Sequence, residues 1–336
     1  MKISILGSGS WGTALAQICI DNGHETVLWG KEKSEVDDIN LHHRNSRYFF
    51  DVQLNPALSA TMDLNEIQGS DMVLLAVPTI ALESVCEQMV SHLDKPVIVI
   101  NVAKGFHPVT HKRLSEVIKE GMPKDLLQDV VSLIGPSHAE EAVLRLLTSV
   151  NAVCENEESA KLVQNLFSND YFRVYRNTDV IGAEIGVAVK NIMALASGVL
   201  TGIGQGDNAR AALMTRGLAE MARYGMYFGG KAETYLGLTG VGDLIVTCTS
   251  QHSRNFQAGL EIGLADSAAE FWKNSTKTVE GVNSTKVVYE VAREKGILMP
   301  ITEQMYLVLF ENKKPSVALK ELMARELKSE EIITKN

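Results

Sequence analysis

The chain has 336 residues, of which 45% are hydrophobic and 22% are charged, and its formal net charge is −9. This length predicts two domains of about 150 residues each, and the balanced composition predicts that the whole chain folds. The acidic balance argues against nucleic-acid and anionic-membrane partners, because both require a basic face.

The start of the chain gives no pattern of an export signal, since Met1 and Lys2 lead through a short apolar run directly into glycines. The four cysteines are widely spaced and form no CxxC pair, which predicts reduced structural thiols in a cytoplasmic protein. The longest weakly charged stretch, 185–206, contains Lys190 and five glycines. It therefore predicts a buried helix and its flanking loop, without membrane insertion.

In the first half, apolar runs bounded by turn residues alternate with helical patterns. The predicted strands are 3–6, 25–29, 72–77, 97–102 and 130–134, with short additions at 152–154 and 172–175. The predicted helices are 11–22, 80–93 and 112–120. Strands alternating with helices predict a parallel sheet covered on both faces.

From about residue 182 the pattern becomes helical, with predicted helices at 182–200, 210–227, 284–295 and 316–328. The fold class predicted is therefore α/β, with an N-terminal Rossmann-type doubly wound sheet and a mostly α-helical C-terminal domain. The predicted domains are 1–180, which contains the sheet, and 181–336, which is helical.

The segment 7–12 reads GSGSWG, a GxGxxG pattern placed directly between a predicted strand and a predicted helix. Gly7 permits the tight turn, Gly9 lets a pyrophosphate approach the backbone, and Gly12 allows close packing of helix on strand. The helix N-terminus then offers amides to the phosphates. The segment predicts an NAD(P)-binding protein that transfers a hydride.

The end of the second strand bears on the choice of cofactor, because an acidic residue there would bind the ribose 2′-hydroxyl of NAD. The strand ends Trp29-Gly30-Lys31, with no carboxylate before Glu32. Lys31 would attract the 2′-phosphate of NADP, and the alternative is a solvated surface lysine. We expect NADPH to be favoured over NADH, with use of both.

Lys190 is the only charged residue between Glu184 and Asp207. Burying an ammonium is costly unless it is paired, so such a lysine either extends to water or is retained for a purpose. Desolvation lowers the pKa of a lysine toward neutrality, where it exchanges a proton with a substrate oxygen. Both interpretations remain open from spacing alone.

Other polar segments follow predicted strand ends or glycine-rich turns. Lys104 follows the strand 97–102, and GPSHA at 135–139 follows the strand 130–134, at the sheet edge where α/β folds bind ligands. Asp243 and the run Ser253-Arg254-Asn255 fall in a short stretch predicted to be rich in loops. A guanidinium with an amide and a hydroxyl suits a phosphate dianion.

These segments resemble the bacterial NAD(P)-dependent glycerol-3-phosphate dehydrogenases over nearly the whole chain. Eight ordered motifs carry the resemblance: GSGSWGTALA from Gly7, AKG from Ala103, GPSHAEE from Gly135, EIGVAVKNIMALASG from Glu184, GDNARAALMTRGLAEM from Gly206, GLTGVGDLIVTCTS from Gly237, HSRN from His252 and VEG from Val279. The resemblance implies reversible reduction of dihydroxyacetone phosphate to sn-glycerol 3-phosphate, the backbone of phospholipids.

The resemblance also implies roles for individual residues. Lys190 is similar to the proton donor, Asp243 to the residue that holds it, and Lys104 to a lysine that contacts both cofactor and substrate. The implied substrate contacts are Lys104, Gly135, Ser137, Lys190, Asp243, Ser253, Arg254 and Asn255. The implied cofactor contacts are Gly7, Gly9, Ser10, Trp11, Gly12, Lys31, Tyr48, Lys104, Ala139, Arg254 and Glu280. The chemistry needs no metal, and a homodimer is compatible with related dehydrogenases.

Departures from the family pattern occur at His138, at 143–148, and at Phe49-Phe50 after Tyr48. They leave the catalytic set intact but make the loop after Ala139 and the Tyr48 contact open questions. One rival is a β-hydroxyacid or sugar-acid dehydrogenase, which needs a carboxylate site where this chain offers a phosphate site. Another is a non-enzymatic NAD(P)-sensing protein, against which Lys190 and Asp243 both argue.

Overall fold

A computed structural model describes residues 1–274, 279–327 and 329–330 of the chain. The chain forms two compact units. The first unit contains Met1–Ala103 and Lys112–Val180, and the second contains Lys104–His111 and Ile181–Asn336. The short segment Lys104–His111 thus belongs to the second unit, although it lies far before residue 181 in the sequence.

The first unit is built on one eight-stranded sheet in the order β3-β2-β1-β4-β5-β6-β7-β8. Its strands are β1 Lys2–Leu6, β2 Glu25–Trp29, β3 Ser59–Thr61, β4 Met72–Leu75, β5 Val97–Asn101, β6 Leu127–Ile134, β7 Thr148–Val153 and β8 Phe172–Asn177. Its helices are α1 Ser10–Asp21, α2 Lys33–His42, α3 Leu82–Val90, α4 Leu114–Gly121, α5 Ala139–Ala142 and α6 Glu157–Phe167.

The alternation of side chains along the strands explains why this sheet is buried on both faces. On β4, Met72 and Leu74 join one hydrophobic cluster, whereas Val73 and Leu75 join another. Because successive side chains of a strand point to opposite faces, a continuous apolar run is the signature of a strand covered on both sides. The N-terminal doubly wound sheet predicted from the sequence is confirmed.

One pair of strands departs from the parallel sheet that the sequence predicted. β6 and β7 pair antiparallel, with Ser132 opposite Val153, while every other neighbouring pair is parallel. The connection between them contains only the four-residue helix α5. A parallel return requires a longer crossover, usually a full helix.

The loop after Ala139 has a definite conformation. Following α5 the chain turns at Arg145, whose φ is 60°, and then enters β7. The Arg145 guanidinium is held by Asp21, with Nε 2.8 Å from Oδ2, and the Tyr171 hydroxyl donates to the same carboxylate oxygen at 2.7 Å. These contacts hold a conformation that glycine adopts more readily than arginine.

The elements of the first unit that were not predicted include α2, β3 and α6. α2 and β3 are short and carry few apolar residues, so their periodicity is weak. α6 had a detectable signal, since Asn156 caps it by accepting hydrogen bonds from the amides of Glu158 and Ser159.

The second unit is mostly helical, as predicted. Its helices are α7 Val180–Gly202, α8 Asp207–Tyr227, α9 Ala232–Tyr235, α10 Asp243–Thr249, α11 Arg254–Leu264, α12 Ala269–Asn274, α13 Glu280–Lys295, α14 Pro300–Phe310 and α15 Pro315–Met323. The predicted helix 316–328 ends at Met323, and Lys328 lies outside the described residues.

α7 is the central helix of the second unit. Among the described helices it alone is long and apolar enough to cross a membrane, but 94% of the relevant window is buried inside the protein, as expected for a core helix. It packs closely on α11: a Cβ on Gly198 would lie 2.1 Å from the carbonyl oxygen of Phe256, and a Cβ on Gly259 would lie 2.0 Å from that of Leu195. Small residues on both helices therefore allow this approach.

Candidate active site

The glycine-rich loop lies between β1 and α1 at the carboxyl edge of the sheet. Gly7 has a φ of 121°, and a Cβ there would lie 2.4 Å from the carbonyl oxygen of Ala76. A Cβ on Gly12 would lie 1.9 Å from the carbonyl oxygen of Gly7, whereas one on Gly9 would meet no atom within 4 Å. Gly7 and Gly12 thus serve the tight turn, and Gly9 leaves open space beside the helix N-terminus, which fits an approaching pyrophosphate.

The other predicted residues of the first unit occupy neighbouring strand ends. Gly135 follows β6, and β6 runs parallel to β5, β4 and β1, so Gly135 and Gly7 lie at the same edge of the sheet. The Ser137 hydroxyl donates to the carbonyl oxygen of Gly135 at 3.0 Å. Ala139 begins α5 and is buried, while Ser10 and Trp11 begin α1 and are partly exposed.

At the end of β2, Lys31 is exposed, and its Nζ lies 5.9 Å from the ring centroid of Trp29. Nearby, the side chain of Glu35 is buried, with a 5% exposed fraction. One oxygen of this carboxylate accepts a hydrogen bond from Ser8 Oγ at 2.5 Å, and the other lies 3.4 Å from the Tyr48 hydroxyl. Sequence reasoning missed Glu35, because a glutamate in the first turn of a short helix normally lies in solvent.

In the second unit, Lys190 on α7 is 2% exposed. Its Nζ lies 2.8 Å from Asp243 Oδ1 and donates a hydrogen bond to Thr247 Oγ1 at 2.7 Å. Thr247 in turn donates to the backbone carbonyl of Asp243 at 2.6 Å. The lysine does not extend to water, so of the two interpretations the sequence left open, burial with partners is the observed one.

Asp243 also faces a second lysine. Lys104 Nζ lies 3.7 Å from Asp243 Oδ2, and this oxygen accepts no hydrogen bond within the part of the chain that the structure describes. The two ammonium groups therefore share one carboxylate, and the cluster formed by Lys104, Lys190 and Asp243 carries one excess positive charge. Such a cluster is suited to stabilising negative charge that develops on a nearby atom.

The environment of Lys190 lowers its pKa to about 8. Burial is the main cause, because it disfavours the ammonium form, and the charge of Lys104 acts in the same direction. Asp243 opposes both by stabilising the ammonium. The result is an amine that exchanges a proton near neutral pH, as a general acid or base must.

Local structure explains how Asp243 and Thr247 come together. A π-helical turn, Leu238–Gly242, leads directly into α10, which begins at Asp243. Residues four apart on a helix share one face, so Asp243 and Thr247 both face Lys190. Sequence reasoning missed Thr247, although its position four residues after Asp243 on a helix was a usable signal.

The predicted loop-rich stretch is wrong, because 238–264 consists mainly of the π-helical turn, α10 and α11. Ser253 caps α11 by accepting a hydrogen bond from the amide of Phe256, and Arg254 is exposed in the first turn. Asn255 is buried, and its Oδ1 accepts a hydrogen bond from the amide of Gly281 at 2.9 Å. The first-turn amides and the dipole of α11 thus lie beside a guanidinium, a combination suited to an anion.

Two further groups border these residues. Burial raises the pKa of Glu280, and the charges of Arg254, Lys104 and Lys190 act against that rise. Asn191, adjacent to Lys190, is 2% exposed, and its Nδ2 has no hydrogen-bond partner among the described residues. A buried donor of this kind is ordinarily satisfied, so its unused hydrogen bonds fit a ligand acceptor.

No group of three or more His, Cys, Asp or Glu side chains arranged to hold a metal ion occurs among residues 1–274, 279–327 and 329–330. The four cysteines are buried free thiols.

Comparison with known proteins decides the family. The family described as NAD-dependent glycerol-3-phosphate dehydrogenase N-terminus matches residues 2–160, and the one described as its C-terminus matches residues 179–320. The chain belongs to the NAD-dependent glycerol-3-phosphate dehydrogenase family. A glycerol-3-phosphate dehydrogenase [NAD(P)+] of Enterococcus faecalis is 48% identical over 99% of this chain and 98% of its own length.

Two further comparisons indicate the same family. A glycerol-3-phosphate dehydrogenase [NAD(P)+] of Streptococcus uberis is 47% identical over 98% of each chain. The crystal structure of glycerol-3-phosphate dehydrogenase from Coxiella burnetii has a TM-score of 0.88 and 37% identity, and it covers 96% of this chain and 99% of its own. The predicted family, the oxidoreductase class, the reduction of dihydroxyacetone phosphate and the use of NAD(P)H are therefore confirmed for this chain.

Proposed function

We propose that Lys190 is the proton donor in the reduction of dihydroxyacetone phosphate and the base in the reverse reaction. The observation that carries this proposal is a buried ammonium whose pKa is lowered to about 8 and whose Nζ is fixed by Asp243 and Thr247. Fixed orientation and a pKa near the working pH are the two properties of an effective general acid.

The chain's own residues account for the proton and the charge. When bound, the reduced nicotinamide supplies a hydride to C2 of the substrate. Negative charge then develops on the C2 oxygen, where Lys190 and Lys104 stabilise it before Lys190 transfers its proton. Asp243 and Thr247 hold the Lys190 amine in place, and Asn191 Nδ2 is a further donor for a substrate oxygen.

The substrate phosphate is assigned to the N-terminus of α11. Arg254 supplies a charged fork there, and the first-turn amides add the positive end of the helix dipole. Ser253 and Asn255 shape this helix start through the cap on Phe256 and the bond to Gly281. Gly135 and Ser137, at the carboxyl edge of the sheet, complete the proposed substrate set.

We propose that cofactor binding lies mainly in residues 1–180 and that the substrate and catalytic groups lie mainly in residues 181–336. The open position at Gly9 supports binding of the pyrophosphate, which NAD and NADP share. The exposed side chain of Lys31 supports a preference for NADP with retained use of NAD. The proposed cofactor contacts are Gly7, Gly9, Ser10, Trp11, Gly12, Lys31, Tyr48, Lys104, Ala139, Arg254 and Glu280. We further propose that the enzyme works reductively in the cytoplasm and supplies the phospholipid backbone, and that it forms a homodimer as related dehydrogenases with helical second domains do.

The proposed function is tested by comparing dihydroxyacetone phosphate with unphosphorylated dihydroxyacetone as substrates. Adding dihydroxyacetone phosphate to the enzyme and NADPH or NADH is expected to give oxidation of the cofactor, followed as loss of absorbance at the nicotinamide band. Unphosphorylated dihydroxyacetone is expected to give a kcat/KM at least about 100-fold lower, because it lacks the anion that Arg254 and α11 would bind. Equal rates with both compounds would refute the assignment of the phosphate site.

The cofactor preference is tested by Lys31→Ala. We expect the KM for NADPH to rise by about tenfold, because a hydrogen bond to a charged group contributes about 1.4 kcal/mol or more. The KM for NADH should stay within about twofold. Lys33→Ala removes an exposed lysine whose charge is already paired with Asp37 and provides the matched control. An unchanged ratio of the two KM values in Lys31→Ala would make Lys31 a solvated surface residue.

A further inference from the structure

The carboxylate of Glu35 joins two segments that are distant in sequence. Its Oε2 accepts the hydrogen bond from Ser8 Oγ in the glycine loop, and its Oε1 lies 2.7 Å from Arg47 Nη1. A buried carboxylate is costly unless it is paired and hydrogen-bonded. Glu35 meets both conditions, so its carboxylate links the Arg47 guanidinium to Ser8 of the glycine loop.

A second link ties the same segment to the loop. Asn45, which is 1% exposed, donates from Nδ2 to the backbone carbonyl of Ser8 at 2.8 Å and to Thr13 Oγ1 at 2.9 Å. The segment 45–48 is therefore anchored to the glycine loop through both the backbone and the side chain of Ser8. These contacts fix the position of the segment 45–48 relative to the glycine loop.

The end of β2 lies at this same point. A Cβ on Gly30 would lie 2.3 Å from Ser8 Oγ, so the hydroxyl that bonds to Glu35 packs directly over Gly30. In dinucleotide-binding βαβ units the adenosine ribose lies between the glycine loop and the end of the second strand. Arg47 is thus held beside the proposed position of the ribose.

The two side chains of the Glu35–Arg47 ion pair differ in solvent exposure. The Glu35 side chain is 5% exposed, whereas that of Arg47 is 59% exposed. The guanidinium also lies 5.7 Å from the ring centroid of Tyr48, which restricts its plane. Arginine has five N–H donors in a planar fork, so the bond to Glu35 leaves donors available for an anion.

We propose that Arg47 binds the 2′-phosphate of NADP together with Lys31, and that Glu35 is the positioning residue that sets the guanidinium for this contact. The proposal rests on the proposed cofactor assignment and names a specificity determinant within it. Because Glu35 is buried and its oxygens are occupied by Ser8 and Arg47, a phosphate at this place would meet the exposed donors of Arg47 and not the carboxylate.

Calorimetric titration with 2′,5′-ADP and 5′-AMP tests this without catalysis, since the two ligands differ only in the 2′-phosphate. Arg47→Ala is expected to weaken 2′,5′-ADP by about tenfold, the effect of one charge-assisted hydrogen bond, and to change 5′-AMP by less than about twofold. Arg47→Lys keeps the charge without the fork and should fall between. Arg44→Ala is the matched control, because Arg44 lies in the same loop and bonds to Gln53 instead.

The role of Glu35 is tested by Glu35→Gln and by its combination with Arg47→Ala. A positioning residue predicts weaker 2′,5′-ADP binding in Glu35→Gln and no further loss in the double variant. The KM for NADPH should rise while kcat stays unchanged. Tighter 2′,5′-ADP binding in Glu35→Gln would show that Glu35 repels the phosphate and would overturn the positioning role.

Two other outcomes separate this inference from the cofactor assignment. If Arg47→Ala and Arg47→Lys lower the melting temperature but leave the ratio of 2′,5′-ADP to 5′-AMP affinity unchanged, the ion pair is purely structural and the inference fails. If the unaltered protein binds neither nucleotide, the cofactor assignment itself fails.

Discussion

Replacing Lys190 with Ala is expected to lower kcat for dihydroxyacetone phosphate reduction by about 10³-fold, the effect of removing a general acid. The variant loses both the proton and the ammonium that stabilises the developing oxyanion. NADPH binding, followed by nicotinamide fluorescence, should survive, because the glycine loop belongs to the first compact unit and Lys190 to the second.

Two further variants make the interpretation secure. Lys190→Arg keeps a positive charge beside Asp243 but holds its proton too tightly to donate it near neutral pH, so it should also lose turnover. Lys286→Ala removes an exposed lysine of the same unit and should leave kcat unchanged. Retained turnover in Lys190→Ala would refute the role of proton donor.

The same lysine predicts the pH dependence of both directions. Reduction requires the ammonium, so kcat/KM should be constant below pH 8 and fall as the pH rises through the Lys190 pKa of about 8. Oxidation of glycerol 3-phosphate requires the neutral amine and should rise over the same interval. Lys104→Met removes a charge that lowers the Lys190 pKa. The fall in the reduction rate and the rise in the oxidation rate should therefore both move to higher pH. Unchanged pH profiles would exclude electrostatic coupling of the two lysines.

Replacing Arg254 with Ala is expected to raise the KM for dihydroxyacetone phosphate by about 10- to 100-fold, because a hydrogen bond to a charged group contributes about 1.5–3 kcal/mol. The preference for the phosphorylated over the unphosphorylated substrate should fall by the same factor. Steady-state kinetics with both substrates at saturating NADPH measures the two quantities together.

Arg254→Lys keeps the charge but not the planar fork, and we expect it to recover part of the loss. Arg293→Ala is the matched control, since this exposed residue lies thirteen positions beyond Glu280 on α13, about 20 Å along the helix. If Arg254→Ala raises the KM for NADPH while the phosphate preference is unchanged, Arg254 contacts the cofactor and not the substrate phosphate.

The sequence alone determined the cofactor class, the family and the framework of the first unit. Local signals were sufficient there: the apolar run of β5 predicts a doubly covered strand, and GxGxxG between a strand and a helix predicts the loop at Gly7–Gly12. The eight motifs were sufficient for the family because each is a contiguous string. The prediction was wrong where the local signal misled, as at α11, whose start at Ser253 was taken for a loop.

Only the tertiary structure decided whether the Lys190 side chain is buried or extends to water. Spacing left open whether this lysine extends to water, and only the packing of α7 against α10 brings its Nζ to Asp243 and Thr247, more than fifty residues later in the chain. Glu35 is the second example, because its burial depends on contacts with Ser8, 27 residues before it, and Arg47, 12 residues after it. Burial and charge pairing depend on distances between remote segments, and these distances, which set a pKa or orient a guanidinium, exist only once the chain has folded.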